Sequence, residues 1–230
     1  MDEQCPGSRK WPTSRWRGLL RDTIRLMDSL NDPPDWTFGG GTALAVHLDH
    51  RVSYDIDAFV RDSDVIRNLT PGRNPFTKQL LDGRKYEYPG NYLKLYMDGG
   101  EIDVIIASRR TDNPTMPWVF ETREISIETP WETVIKKIFY RPSNFKVRDV
   151  FDFAAVIEHS REELWNALPE VENKLDKLVD RIERLAPSYV TMAAQDVNPT
   201  EHGRRYMTAA APAIALDFLS ARSHRPTSAN

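Results

Sequence analysis

A single cysteine, Cys5, stands in a chain of 230 residues, so neither an intramolecular disulfide nor a thiolate metal cluster can be built from it. A reducing, cytoplasmic setting is therefore expected. Long apolar runs are missing as well. No stretch approaches the roughly 20 residues that span a bilayer, and the first 15 residues lack the apolar middle of a secretory signal; no membrane partner is expected. Charge of one sign is also scarce, with 31 basic residues against 34 acidic ones. That balance does not exclude a nucleic-acid partner, because such an interface is a local patch rather than a net charge. There is no internal repeat and no low-complexity tract.

What is present is ordinary for a soluble globular chain: 40% apolar and 28% charged residues. The length suits one ample domain, or one domain with a helical extension. The chain is organised around residues 38 to 59, FGGGTALAVHLDHRVSYDIDAF. Gly39-Gly40-Gly41 leads into an apolar helical run, and a sharp glycine turn leaves helix N-terminal amides free to hold a phosphate. Such a turn alone more often serves only geometry.

Residues 54 to 60 alternate as a strand, putting Asp55, Asp57 and Phe59 on one face, with the two carboxylates about 7 Å apart. Alone, the Asp55-Ile56-Asp57 pair could be an edge strand with a solvated face. Asp103 changes the balance. It sits mid-way along a strand expected over 101 to 107, among β-branched core residues, where an unpaired carboxylate is costly. Three carboxylates suit divalent-metal phosphoryl transfer, since magnesium takes oxygen ligands and leaves positions open for substrate phosphates.

The rest of the pattern supplies scaffolding. A helical stripe runs from Trp16 to Leu30, and a short strand is expected over 36 to 38. Residues 61 to 69 read as a short helix, and 70 to 75 as loop. Strands over 85 to 88 and 92 to 97 precede an Asp98-Gly99 hairpin turn. The prolines Pro114 and Pro117 mark a loop, followed by a strand over 124 to 127. Thr129-Pro130-Trp131-Glu132 then reads as a capping box opening a helix, and a second helix starts near Lys146. Between Thr133 and Arg148 lie Lys136, Lys137, Arg141, Lys146 and Arg148 with no acid, a set suited to a polyphosphate or RNA backbone, or else a solvated basic face. Leu164, Leu168, Val171, Leu175, Leu178, Ile182 and Leu185 repeat at spacings of four and three. They form either a kinked helix packed on the body or a partner-binding seam. A last helix is expected over 212 to 222. His47 and His50 lack further ligands at metal spacing, and no nucleophile elbow appears.

Gly40-Gly41-Thr42-Ala43-Leu44, His50-Arg51-x-Ser53-x-Asp55-Ile56-Asp57, Lys136-Lys137 and Arg148-Asp149-x-x-Asp152, in that order over roughly residues 36 to 158, resemble the AbiEii/AbiGii-type nucleotidyltransferase toxins. These are relatives of the DNA polymerase β-like minimal nucleotidyltransferases. The resemblance implies a mixed β-sheet flanked by helices, hence an α+β fold; the shift from mixed strand and helix to mainly helix sets a core over residues 14 to 128 and a mainly helical part over 129 to 222, with 1 to 13 and 223 to 230 expected to be disordered. It implies that Gly40, Gly41, Thr42 and Ser53 form the phosphate turn, with Gly41 and Thr42 on the β- and γ-phosphates. Asp55, Asp57 and Asp103 would bind Mg²⁺ or Mn²⁺, and Asp103 would help deprotonate the attacking hydroxyl.

Lys137, or its neighbour Lys136, would contact the triphosphate, and Asp152 is the late catalytic aspartate, with Asp149 the acidic half of an Arg-Asp pair. The implied reaction moves an NMP from an NTP to a hydroxyl on a tRNA 3′ end or a protein. The implied setting is the toxin of a toxin-antitoxin or phage-defence pair with a cognate antitoxin. Alternatives are a small-molecule (antibiotic) nucleotidyltransferase and a catalytically silent nucleotide-binding module. Two departures stand out: Ala58, where the family has a larger apolar residue, and a shorter helical part after residue 158.

Overall fold

The computed structural model of the protein describes residues 11–223. The expectations for residues 1–10 and 224–230 lie outside this range. The chain begins with α1 (Trp16–Asp28), whose Leu19, Leu20, Leu26 and Met27 are buried. Then follow β1 (Thr37–Gly39), α2 (Gly40–Leu48), β2 (Ile56–Val60), α3 (Ser63–Asn68), α4 (Pro75–Leu81), β3 (Tyr86–Glu87), β4 (Tyr92–Met97), β5 (Gly100–Ile106), β6 (Thr115–Phe120) and β7 (Arg123–Glu128). The helices α5 (Pro130–Tyr140), α6 (Val147–His159), α7 (Arg161–Ala167), α8 (Leu175–Leu185), α9 (Tyr189–Asp196) and α10 (Ala210–Ser223) complete it. This is an α+β fold.

The seven strands form one mixed sheet in the order β3-β4-β5-β2-β1-β7-β6. β2 runs parallel to β5 and β1 parallel to β7, and the remaining pairs are antiparallel. Period-two alternation decides which residues meet the core. Ile56, Ala58 and Val60 of β2 and Ile102 and Val104 of β5 are buried, in one cluster with the α1 residues, while Asp57, Phe59, Asp103 and Ile105 face a cavity. A second cluster gathers the helices from α5 to α10. Between the two lies α2. Its Ala43 belongs to the sheet cluster and its Leu44 to the helical one, which is why GGTALAV is apolar all round.

Several expectations are corrected. The segment with Pro114 and Pro117 is not a plain loop: β6 runs through it. Proline is tolerated because β6 is an edge strand, with no outer neighbour that needs its N–H. A helix, α4, opens at Pro75 directly after the expected loop, its first turn capped by Asn74 Oδ1 accepting from the Thr77 N–H at 2.9 Å. The capping box at Thr129 does not form. Glu132 instead accepts from the Arg110 and Thr111 amides at 2.9 Å each, tying the loop after β5 to α5.

The 4–3 leucine repeat is not an exposed seam. All seven residues are buried, spread over α7, a 3₁₀ stretch (Leu168–Lys174) and α8. Pro169 and the non-helical Val171 break the helix, and the pieces pack against α5, α6 and α10. An unexpected helix, α9, is anchored by buried Tyr189, whose hydroxyl donates to the Tyr206 carbonyl at 2.9 Å. The final helix starts two residues earlier than expected and includes Ser223. No helix among the described residues is long and apolar enough to cross a membrane.

Candidate active site

A cavity of about 500 Å³ opens between the sheet and α5–α6. Its floor is the polar face of β2 and β5. Because these strands are parallel and in register, Asp57 stands directly beside Asp103. Asp55 falls one residue before β2 rather than on it, and its Oδ1 accepts from the Glu101 N–H at 3.1 Å. Gly40 and Gly41, at the start of α2, line the same space. Gly40 has φ +69°, and a Cβ there would overlap the Asp57 carboxylate. Only glycine meets both demands. A Cβ on Gly41 would overlap the Arg51 guanidinium, and one on Gly39 the Glu128 carboxylate.

The floor is short of positive charge. Asp57 makes no hydrogen bond or ion pair among the described residues, and burial followed by the Asp55 charge pushes its pKa up. Burial and Glu101 do the same to Asp55. Asp103 is pushed up to about 6, chiefly by burial and then by Asp57, despite an ion pair from Lys94 at 2.8 Å. Its other oxygen, Oδ1, is buried without a partner. Lys94 lies across the ladder from Asp103 and also pairs with Glu101. Among the described residues no three histidine, cysteine or acidic side chains are grouped closely enough to hold a metal ion: Asp55 is turned to a backbone amide and Asp103 to Lys94. The donors nevertheless fit a hard divalent cation. They are all carboxylate oxygens, one is orphaned, and burial raises the pKa of each.

The wall of α5 and α6 is built the opposite way. Asp152 is wholly buried and does not reach the cavity. Arg51 grips it through Nε at 2.6 Å and Nη2 at 3.0 Å, His50 Nε2 lies 2.8 Å away, and Lys137 donates at 2.6 Å. Burial alone would raise its pKa, but Arg51 and Lys137 outweigh burial and hold it well below the carboxylate range. Asp149 receives Lys137 at 3.1 Å and Arg141 at 2.9 Å and is likewise lowered.

Asp152 thus holds His50, Arg51 and Lys137 and does not line the cavity. Lys137 donates to Asp152, pairs with Asp149 and also lines the cavity. Lys136 is committed elsewhere, 2.5 Å from buried Glu128 and over the Phe59 ring at 3.5 Å. Lys146 and Arg148 line the cavity with no acidic partner among the described residues, and the Arg148 charge followed by burial lowers Lys146.

Thr42 does not line the cavity. Its hydroxyl is buried, 2.8 Å from Ser53 Oγ, and donates to the Asp55 carbonyl, so it fixes the loop that presents Asp55. Ser53 lines the cavity wall. Three participants escaped sequence reading. Lys94 was within reach, because an Asp98-Gly99 hairpin pairing Met97 with Gly100 places Lys94 opposite Asp103. Arg51 lay inside the quoted motif without a partner to explain it. Glu128, pushed by burial up to about 7 despite Lys136, carries no local signal.

The model of the nucleotidyl transferase AbiEii toxin family, type IV toxin-antitoxin system, matches residues 25–209. The chain belongs to this family. It is accordingly a nucleotidyltransferase. No curated protein matches the chain. Among solved structures, JHP933 from Helicobacter pylori is 16% identical with a TM-score of 0.47, over 93% of this chain and 97% of that one. An antigenic nucleotidyltransferase-like protein from Paracoccidioides brasiliensis is 18% identical with a TM-score of 0.42, over 78% and 94%. The STING-associated CdnE c-di-GMP synthase from Capnocytophaga granulosa is 12% identical with a TM-score of 0.31, over 91% and 81%.

Proposed function

We propose that this AbiEii-family enzyme transfers an NMP from an NTP to a hydroxyl of a tRNA 3′ end, as the cytoplasmic toxin of a pair neutralised by a cognate antitoxin. The observation that carries the reading is the in-register pairing of Asp57 with Asp103 beside Asp55, an acidic floor in which Lys94 serves Asp103 while the Asp57 carboxylate has no ion pair among the described residues, facing the start of α2.

In this reading the free amides of Gly40 and Gly41 hold phosphate oxygens, aided by the partial positive charge of the helix start. Lys137, oriented by Asp149 and Asp152, meets the triphosphate as a fixed point charge. Arg51, locked by Asp152, braces the turn from behind Gly41. A divalent cation held by Asp55, Asp57 and Asp103 would neutralise the reacting phosphate and make the attacking hydroxyl more acidic. Asp103 accepts the proton of that hydroxyl. Positioning supplies much of the remaining acceleration.

The test mixes the protein with Mg²⁺, radiolabelled NTPs and, in parallel, tRNA, a protein pool or an aminoglycoside. Label on tRNA with release of pyrophosphate is expected, together with growth arrest on expression that the adjacent gene relieves. Label on the aminoglycoside alone would move the enzyme to the small-molecule class, and NTP binding without pyrophosphate release would leave a silent binding module.

A further inference from the structure

Glu128 and Lys136 form a buried ion pair that the proposed chemistry leaves without a task, with Lys136 Nζ 2.5 Å from Glu128 Oε1. Such a pair is often no more stabilising than apolar residues of the same volume. What it touches is more telling. Glu128 ends β7 and contacts both ends of α2. At the start of the helix its carboxylate fills the space that a side chain on Gly39 would need. At the last turn its main-chain carbonyl accepts from His47 Nε2 at 2.9 Å; a carbonyl can only accept, so that nitrogen carries the proton. Thr37 of β1 and Thr133 of α5 also donate to the carboxylate, each at 3.4 Å. Lys136 covers the Phe59 ring at 3.5 Å, two residues beyond Asp57 on β2.

Resting on the transfer reading above, we infer that Glu128 is a positioning residue for the triphosphate. The two groups assigned to phosphate stand on separate elements: Gly40 and Gly41 open α2, and Lys137 lies within α5. Each is one residue away from the buried pair. Gly39, against the Glu128 carboxylate, precedes Gly40, and Lys136 precedes Lys137. Asp149 and Asp152 hold the Lys137 ammonium from α6, whereas Glu128 ties α5, one residue earlier, to the start of α2. The pair therefore sets the gap between the glycine turn and Lys137, and a chain of phosphates must fit that gap at both ends. A misplacement of about 1 Å in such a fit can cost about 10²-fold. Gly39 belongs to the same device, because any side chain there would push the turn off the carboxylate.

The experiment measures binding to the full chain in Mg²⁺, using a fluorescent NTP and its displacement by inorganic tripolyphosphate or by the corresponding nucleoside. Glu128→Gln should weaken the NTP and tripolyphosphate about tenfold, the scale of one lost hydrogen bond to a charged group, and leave the nucleoside unchanged. The double variant Glu128→Gln with Lys136→Met removes both charges at similar volume; it should melt like the native chain and still bind tripolyphosphate weakly, because the tie is gone. Native-like tripolyphosphate binding by either variant would overturn the assignment, as would an equal loss for tripolyphosphate and nucleoside, which marks a general loosening. A native chain that binds neither the NTP nor tripolyphosphate would instead sink the transfer reading, and this inference with it.

Discussion

Two sets of carboxylates face each other across the site, and they are kept in opposite states. On the sheet side, Asp55, Asp57 and Asp103 have raised pKa values, with one lysine to serve Asp103. On the helix side, Asp149 and Asp152 are more deeply buried yet lowered, because Arg51, Lys137 and Arg141 surround them. Burial is therefore not what separates the two sets; the supply of cations is. A saturated carboxylate can position its neighbours but has nothing left for a ligand, whereas an unsaturated one stores a demand that a ligand can meet. In the proposed mechanism the contrast gives Asp152 a scaffolding role and the β2–β5 aspartates the chemistry.

The sharpest break of that contrast is Asp57→Asn. It should lower transfer by about 10²–10³-fold, the scale of losing one well-placed electrostatic group, and leave metal-free stability unchanged or higher, since a strained charge is removed. Urea titration beside the labelling assay separates the two effects. Asp152→Asn should behave in reverse order of cause. It strands Arg51 and Lys137 as buried cations and should cost about 3–5 kcal/mol of stability, activity falling with it. If Asp152→Asn unfolds at native urea concentrations while transfer is lost, the aspartate touches substrate after all.

How far these roles could be read from the chain depends on how local their causes are. Asp55, Asp57 and Asp103 stand out because alternation exposes a carboxylate amid β-branched neighbours, and the parallel pairing of β2 with β5 only brings together what each strand already declared. Lys94 needed one more step, counting the hairpin register. Lys136 and Lys137 look equivalent in sequence; the single residue step around the helix sends the first to Glu128 and the second to Asp149 and Asp152. Glu128 and the burial of Asp152 are products of packing between the sheet and the helices, so no window of sequence contains them. Pro117 misled for a related reason, since proline disfavours strands in general and only the sheet order makes β6 an edge.

The pH dependence of stability should show both sets at once. Asp103 has its folded pKa raised to about 6, so the metal-free protein binds its proton more tightly than the unfolded chain does. The sign follows: this contribution is present at low pH and is lost as pH rises from about 4 through 6, amounting to about 1–3 kcal/mol. Asp152 is lowered, so its contribution is present above the ordinary aspartate range and is lost as pH falls toward its folded value. Metal-free Asp103→Asn should shrink the decline between about pH 4 and 6, the raised Asp55, Asp57 and Glu128 carrying the remainder, and leave the acid limb in place. A decline of unchanged size, measured by thermal melts across the range, would place the Asp103 strain elsewhere.

The smallest effect concerns Lys94, the cation paired with Asp103 on the acidic floor. Its ammonium lies 2.8 Å from Asp103 and also serves Glu101, so an entering divalent ion competes with it for the same carboxylate. Lys94→Met keeps the length of the stem while removing the charge. Asp103 then loses its counter-ion, the metal-free protein melts slightly lower, and the rise in melting temperature on adding Mn²⁺ becomes larger than in the native chain by a few degrees. An unchanged Mn²⁺ response would mean that the ion does not reach Asp103, and the division between a saturated wall and an unsaturated floor would then rest on Asp55 and Asp57 alone.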